Sequence, residues 1–409
     1  MPEPATKKKP SSMTTTTIPD WSLLPGELLD VISKNLHNCF DVLHARSVCT
    51  TWRSSVPFPD RQLTRPSYTS LPSFADLPYE SDDDEFCTLE KVPVFLFRAK
   101  TRPVLPSLYF LGGLVRNHDH PSPSQHCSLK VKVHETVLSV TNVLNLQIIP
   151  LGHHYRVVGF NPRDRTSNYR GVAVLPLNKG KGEGKDFIAL LNHTELLYIF
   201  RSDDERRWVG LERFSDDTFY EVVAFRDRFY AAFVTAGVCV FDPYSFEVTP
   251  LFPSPPLEQP PFNNFVRSGD GDGDDDELFL VVKFYPFPEP TVIDFNLFKC
   301  RVSRLDEKAG KWVTVSDLGG RVLFIGRFGN VCCSGEELPD GCGVSGDSIL
   351  YTNELGGVTF AFKYSGGGGD GVPGVWRLSR EYRVSILSHS PVVALRVERQ
   401  PLVTPTLGT

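Results

Sequence analysis

No apolar run of about 18 residues occurs in the sequence, so it offers no segment suited to cross a membrane as a helix. The longest candidate, "FYAAFVTAGVCVF" from Phe229 to Phe241, is shorter, and its Thr-Ala-Gly reads as the turn of a buried hairpin. A basic excess is missing too. Lys and Arg number 43 against 49 Asp and Glu, and a formal charge of −6 argues against a nucleic-acid-binding surface. The opening "MPEPATKKKPSSMTTTTIP" lacks the apolar stretch of a secretory signal. Its polar composition cannot support a core, so residues 1–19 are expected to be a disordered tail. Lys7, Lys8 and Lys9 read as a solvated basic patch or a weak nuclear-import signal. The nine cysteines form neither CxxC pairs nor a regular framework, which fits a reducing compartment, nucleus or cytoplasm.

Catalytic and metal motifs are equally scarce. Neither a GxSxG elbow nor an HExxH pair occurs. The acidic "DGDGDDDE" at 270–277 lacks the glycine and the distal glutamate of a calcium loop. "GKGEGKD" at 180–186 has no Walker spacing and precedes a strand, so it reads as a loop. His118, His120, His126 and Cys127 are zinc-compatible residue types at a spacing that matches no standard site. Cys332 and Cys333 read as structural, since neighbours in a strand point to opposite faces. "PSPPLEQPP" at 253–261 reads as a surface loop. No catalytic residue, cofactor or metal site is assigned.

What is present is aromatic and turn-rich: 29 Phe, 13 Tyr, 33 Pro and 32 Gly against 2 Met, a mixture that suits short strands. The exception lies near the start. From Leu24 to about Ser55 the period is helical, with Leu28, Leu29, Ile32 and Leu36 on one stripe and Ala45, Val48, Cys49 and Trp52 on another. Pro25 suits a first helical position and Glu27 complements the positive helix end. Two or three helices in about 40 residues bury too little surface to stand alone. The unit needs a partner, inside the chain or outside it.

Residues 57–90, Pro-rich and then acidic ("SDDDE"), are expected to be a linker. Beyond them, "DFIALLNHTELLYIF" from Asp186, "DRFYAAFVTAGVCVF" from Asp227 and "DSILYTNELGGVTFAF" from Asp347 repeat one plan. Each is an Asp, a strand, a turn and a second strand, with a looser copy, "DELFLVV", from Asp276. Polar turns leading to Trp208, Trp312 and Trp376 follow three of them. Hairpin, turn and aromatic strand in repetition point to propeller blades. A mainly β fold follows: a small α-helical unit, then a β-propeller of about six to seven blades over 91–395 and a tail at 396–409.

The helical segment closely resembles an F-box. Leu24, Pro25, Glu27, Leu28, Leu29, Ile32, Leu36, Asp41-Val42, Arg46, Val48-Cys49 and Trp52-Arg53 match its pattern in register, placing it at 20–56. Gly26 and the absence of proline in the 37–40 loop depart from it. Downstream, "FKCRVSRLDEKAGKWVTVSDLGGRVLFIGR" and "GDSILYTNEL" resemble the KIB-type β-propeller domain of plant F-box proteins. The resemblance implies a non-catalytic substrate-recognition subunit of an SCF-type ubiquitin ligase, acting in nucleus or cytoplasm. Its F-box would dock on a Skp-type adaptor, and through it a cullin–RING ligase, while its propeller would hold an unknown protein substrate. Leu24, Pro25, Leu28, Leu29 and Ile32 lead the adaptor-facing set, with Leu36 beside them. Val48, Cys49 and Trp52 would hold the unit together or line its edge. A ligase-independent scaffold and a propeller hydrolase are the competing readings.

Overall fold

The computed structural model describes residues 20–36, 39–57, 69–71, 87–99, 108–116, 125–131, 140–142, 146–158, 169–177, 186–193, 196–203, 208–211, 219–233, 237–251, 262–269, 276–284, 298–326, 329–340, 342, 344–354, 358–365, 374–376, 380–389 and 392–399. The chain divides into two compact units, Met1–Leu63 and Thr64–Thr409. The expected tail at 1–19 lies outside the described residues.

The first unit is helical. A 3-10 turn at Trp21–Leu23 precedes α1 (Gly26–Lys34), α2 (Cys39–Ser47) and α3 (Thr50–Ser55). Asp20 sets the turn by accepting the Ser22 N–H at 3.0 Å, the usual work of an N-cap carboxylate. Pro25 is the N-cap of α1 rather than its first helical residue, and it offers no side-chain cap. Its carbonyl accepts from the Leu28 and Leu29 N–H groups at 3.1 and 3.2 Å.

Helices this short hold their shape only by packing on one another. Leu29, Val42, Ala45, Trp52 and Val56 form the core, with Leu24, Ile32, Leu36 and Cys49 packed around it. Two polar ties close the unit. The Trp52 indole donates to the Trp21 carbonyl at 2.7 Å. The Arg46 guanidinium donates to the Arg53 carbonyl at 2.7 Å and to the Val56 carbonyl, which satisfies the end of α3. Replacing Arg46 with Met keeps the stem and strips the donors, so a loss of about 1.5–3 kcal/mol is expected. Hydrogen exchange should show faster amide turnover at 39–57 and unchanged turnover at 262–284.

The second unit is made of strands. Among the described residues they assemble into five sheets. The first sheet joins β1 (Thr69–Leu71), β2 (Cys87–Ala99), β3 (Leu108–Arg116), β4 (Gln125–Val131), β5 (Val140–Asn142) and β6 (Leu146–Val158) to β24 (Arg380–His389) and β25 (Val392–Arg399). The second holds β7 (Tyr169–Pro176), β8 (Phe187–His193), β9 (Leu196–Arg201) and β10 (Trp208–Gly210). The third holds β11 (Phe219–Phe225), β12 (Arg228–Phe233), β13 (Val238–Phe241) and β14 (Val248–Pro250). The fourth holds β15 (Phe262–Arg267), β16 (Leu278–Phe284), β17 (Lys299–Asp306) and β18 (Lys311–Thr314). The fifth holds β19 (Arg321–Gly326), β20 (Val331–Ser334), β21 (Ser348–Glu354), β22 (Val358–Lys363) and β23 (Gly374–Trp376).

These sheets are blades of a propeller, and the ring closes. Strand β6 neighbours β7, β7 neighbours β11, β11 neighbours β15, β15 neighbours β20, and β20 returns to β6. The blades are glued by five apolar cores, one between each neighbouring pair. Period-2 alternation supplies them. In β16, Leu278, Leu280 and Val282 enter the core shared with the third blade, while Phe279 and Val281 enter the core shared with the fifth. A strand buried on both faces reads as an unbroken apolar run, "LFLVV" here.

The hairpins read from the repeats are β8–β9, β12–β13 and β21–β22, and the looser copy is β16. Trp208, Trp312 and Trp376 fall on the outermost strands β10, β18 and β23. The blade number differs from the six to seven expected from chain length. Five blades are described, because the first sheet takes eight strands, including the 13-residue β2 and β6. The boundaries also move. Strand β1 and the start of β2 lie inside the stretch read as a linker at 57–90, and β25 runs into the stretch read as a tail at 396–409. Strand β1 pairs with the start of β2, while β25 pairs with β24 through a tight hairpin and with the distant β5. The C-terminal β24 pairs with β4, which ties the end of the chain into the first blade.

Candidate functional site

The helical unit presents apolar side chains that its own core does not use. Leu28 is 50% exposed and Val31 55%, and their spacing of three puts them on one face of α1. Trp21 and Leu23, on the turn just before, are 56% and 77% exposed. Pro25 is exposed between them, and Val48 is exposed at the end of α2. A small domain seldom leaves so many large apolar groups in water without a use for them.

The expected docking set therefore divides. Pro25, Leu28 and Val48 are open to solvent. Leu29 is fully buried and Trp52 nearly so, both in the core of the unit. Leu29 is corrected from the adaptor-facing set to a structural residue, while Trp52 takes the first of its two expected places and holds the unit together: in a helix, adjacent positions such as Leu28 and Leu29 lie about 100° apart, so a stripe two residues wide has an inner and an outer edge. Leu24, Ile32, Leu36 and Cys49 are half-buried and pack on that core. Sequence reasoning missed Trp21, Leu23 and Val31. The three-residue step from Leu28 to Val31 is the signal that could have found the last of them.

The second feature is the channel along the propeller axis, a cavity of about 890 Å³. Residues of all five inner strands line it, among them His154 and Tyr155 from β6, Gly171 from β7, Tyr220 and Glu221 from β11, Asn264 from β15 and Val331 from β20. Glu221 is its polar hub. One carboxylate oxygen accepts from the Phe265 N–H at 2.9 Å and from the Asn264 amide at 3.2 Å, and the other accepts from the Asn330 amide. Asn330 also donates to the Phe265 carbonyl at 3.0 Å and accepts from the Gly326 N–H at 3.3 Å. One side chain of the third blade thus ties together the fourth and fifth.

Part of Glu221 faces the channel, yet it lies deep among protein atoms. Withdrawal from water pushes its pKa up to about 8, against the pull of the Phe265 N–H, the Asn264 amide and the Lys283 charge. The folded protein therefore holds this proton well above the ordinary 4.5. The resulting stabilisation is full below 4.5 and is lost as pH rises through about 8. Glu221→Gln keeps the neutral form at every pH. The melting temperature of that variant minus that of the unaltered chain is expected to grow between about pH 6 and about pH 9. A gap that shrinks over that range would mean the carboxylate is already ionised and held by its donors.

The sulfur pair of β20 behaves as the alternation requires. Cys332 packs on the core between the fourth and fifth blades, and Cys333 is buried in the core between the fifth and first. Burial pushes both thiols up to about 12, which leaves them un-ionised. At the end of the acidic loop, Glu277 pairs with Arg304 at 2.6 Å and Arg321 at 2.9 Å. The rest of that loop at 270–275, His118, His120, the 253–261 stretch and most of the 180–186 stretch lie outside the described residues.

Comparison with known proteins places this geometry. The family model "KIB1-4 beta-propeller" matches residues 68–376, spanning β1 to β23. An F-box/kelch-repeat protein of Arabidopsis thaliana is 51% identical over 390 residues, covering 94% of this chain and 98% of its own. A second F-box/kelch-repeat protein of that plant is 47% identical, covering 97% of this chain and all of its own length. A third, described as a putative F-box/kelch-repeat protein of the same plant, is 28% identical, covering 82% of this chain and 88% of its own.

Proposed function

The chain belongs to the KIB1-4 β-propeller family, and from that premise we propose that it is the substrate-recognition subunit of an SCF-type ubiquitin ligase. The observation that carries the reading is the open apolar surface of the helical unit, centred on Leu28 and Val31. An amphipathic helix with an unpartnered apolar edge is what a helix-packing interface needs. The occupant would be a Skp-type adaptor, and through it a cullin–RING ligase. The propeller would then hold a second protein.

In that arrangement the chain makes and breaks no bonds itself. Its contribution is proximity: holding a substrate beside a charged conjugating enzyme raises the effective concentration of substrate lysines. The reading places the work in the nucleus or cytoplasm, where adaptor and ligase would meet it.

The test compares two baits in plant extract under proteasome inhibition, the full chain and a chain beginning at residue 64. Adaptor and cullin should come down with the full chain alone, and a shared set of further proteins with both. Adaptor recovered equally by both baits would sink the assignment of docking to the helical unit. Shared further proteins with no adaptor on either bait would mark a scaffold that works without a ligase.

A further inference from the structure

We propose that Glu221 and Asn264 form a two-position latch between the third and fourth blades, in which the Asn264 amide turns over as the Glu221 carboxyl gains or loses its proton. The inference is independent of the adaptor reading, since it uses only residues of the second unit. The donors around Glu221 are the first observation. Three N–H groups converge on it, from Phe265, Asn264 and Asn330. That set suits a carboxylate, which only accepts; a protonated carboxyl also carries an O–H, and its proton needs an acceptor.

An acceptor with nothing to receive is the second. Asn264 is 9% exposed, and its Oδ1 is buried with no hydrogen-bond partner. Solvent in the channel does not reach that atom, so only a neighbouring group of the wall can donate to it. Its amide nitrogen lies 3.2 Å from Glu221 Oε2. A half-turn of the amide exchanges Nδ2 for Oδ1 at that place, and the acid proton and the unmet acceptor join in one O–H···O bond. Nδ2 then takes the unpartnered seat, so one side-chain atom stays unmet while the proton gains its acceptor. Asn330 has no such freedom. Its Nδ2 also donates to the Phe265 carbonyl at 3.0 Å, and its Oδ1 accepts from the Gly326 N–H at 3.3 Å. Turned over, it would set oxygen against oxygen and N–H against N–H, so the proton belongs on Oε2, beside Asn264.

Two forces set which position is filled. Withdrawal from water favours the protonated carboxyl, while the N–H donors and the Lys283 charge on β16 favour the ionised one, and the balance turns at about pH 8. The other ionisable groups of the channel wall include Arg267 on β15, His153 and His154 on β6 and Glu337 beyond β20. His154, with burial the main cause, titrates at about 4 and stays neutral through the change. Glu221 is half-buried and lines the channel, which gives its proton a way to water. Each switch moves one proton between Oε2 and that water and rotates one amide; nothing else is made or broken.

The test is NMR on the deuterated full chain, carrying carbonyl 13C in Asn and 15N in Asn and Phe. Asn264-Phe265 is the one Asn-Phe pair in the sequence, which identifies the Phe265 N–H. Loss of signals in Asn264→Ala identifies the Asn264 side-chain amide. In the ionised form both N–H groups point at Oε2, so their protons should show a strong through-space contact above about pH 9. Below about pH 7 the contact should fall about tenfold or more, as Nδ2 turns away. Glu221→Gln, whose side-chain N–H donates where the acid O–H would, should lack the contact at every pH. Where that variant fails to fold, the titration of the unaltered chain decides alone. A contact of equal strength across the range, its absence throughout, or the same titration in Glu221→Gln would overturn the proposal.

Discussion

Leu28→Asp combined with Val31→Asp is expected to abolish recovery of a Skp-type adaptor while leaving propeller melting unchanged. Both side chains are about half exposed on one face of α1, so neither substitution opens a cavity. Leu28 sits in the first turn, where a carboxylate suits the helix dipole, so α1 itself should survive. An anchor buried in a partner's groove commonly contributes 2 kcal/mol or more, and two such losses amount to roughly a thousandfold in affinity. Burying two uncompensated carboxylates adds to that. Leu29→Asp makes the contrast. It places a charge in the core with Trp52 and Val56, and adaptor binding should fail because the unit unfolds. Hydrogen exchange at residues 20–57 within the full chain separates lost docking from lost structure in the two cases. Retained adaptor binding by the Leu28/Val31 variant would remove the patch from the interface.

The other large effect is in the propeller. Phe298 sits between the fourth and fifth blades, edge-on to Tyr351 at 5.5 Å and to Phe360 and Phe362 at 5.2 Å each. Phe298→Ala removes the ring those three pack around, and the expected cost is about 3–5 kcal/mol. In a unit of this size that corresponds to a fall in melting temperature on the order of 5–10 °C. Phe298→Leu, which refills most of the volume, should cost under about 2 kcal/mol. Adaptor binding should be unaffected by either. Equal melting temperatures for the Phe and Ala forms would show that the interface is not held by this cluster.

Much of this was legible before any coordinates. The Asp-led hairpins and the three following tryptophans could be read because blades repeat locally, and strands buried on both faces print as apolar runs. The helical motif could be read because apolar residues recur at helical spacing from Leu24 to Trp52. The blade number could not. It depends on β24 pairing with β4 across some 250 residues, and no local pattern encodes that partner. Glu221 was hidden for a related reason. In "FYEVVAF" it occupies the polar place of a half-buried strand, and only closure of the ring brings Asn264 and Asn330 to it. The split of the helical stripe into core and open edge also needed three dimensions, since Leu28 and Leu29 look interchangeable in a line of text.

The most direct measurement mixes the full chain with a purified Skp-type adaptor and follows complex formation by isothermal titration, for the unaltered protein and the Leu28/Val31 double variant. Expected is a one-to-one complex with the unaltered chain and no heat of binding with the variant. The contradicting result is the absence of a complex with the unaltered chain, or equal affinity for both proteins.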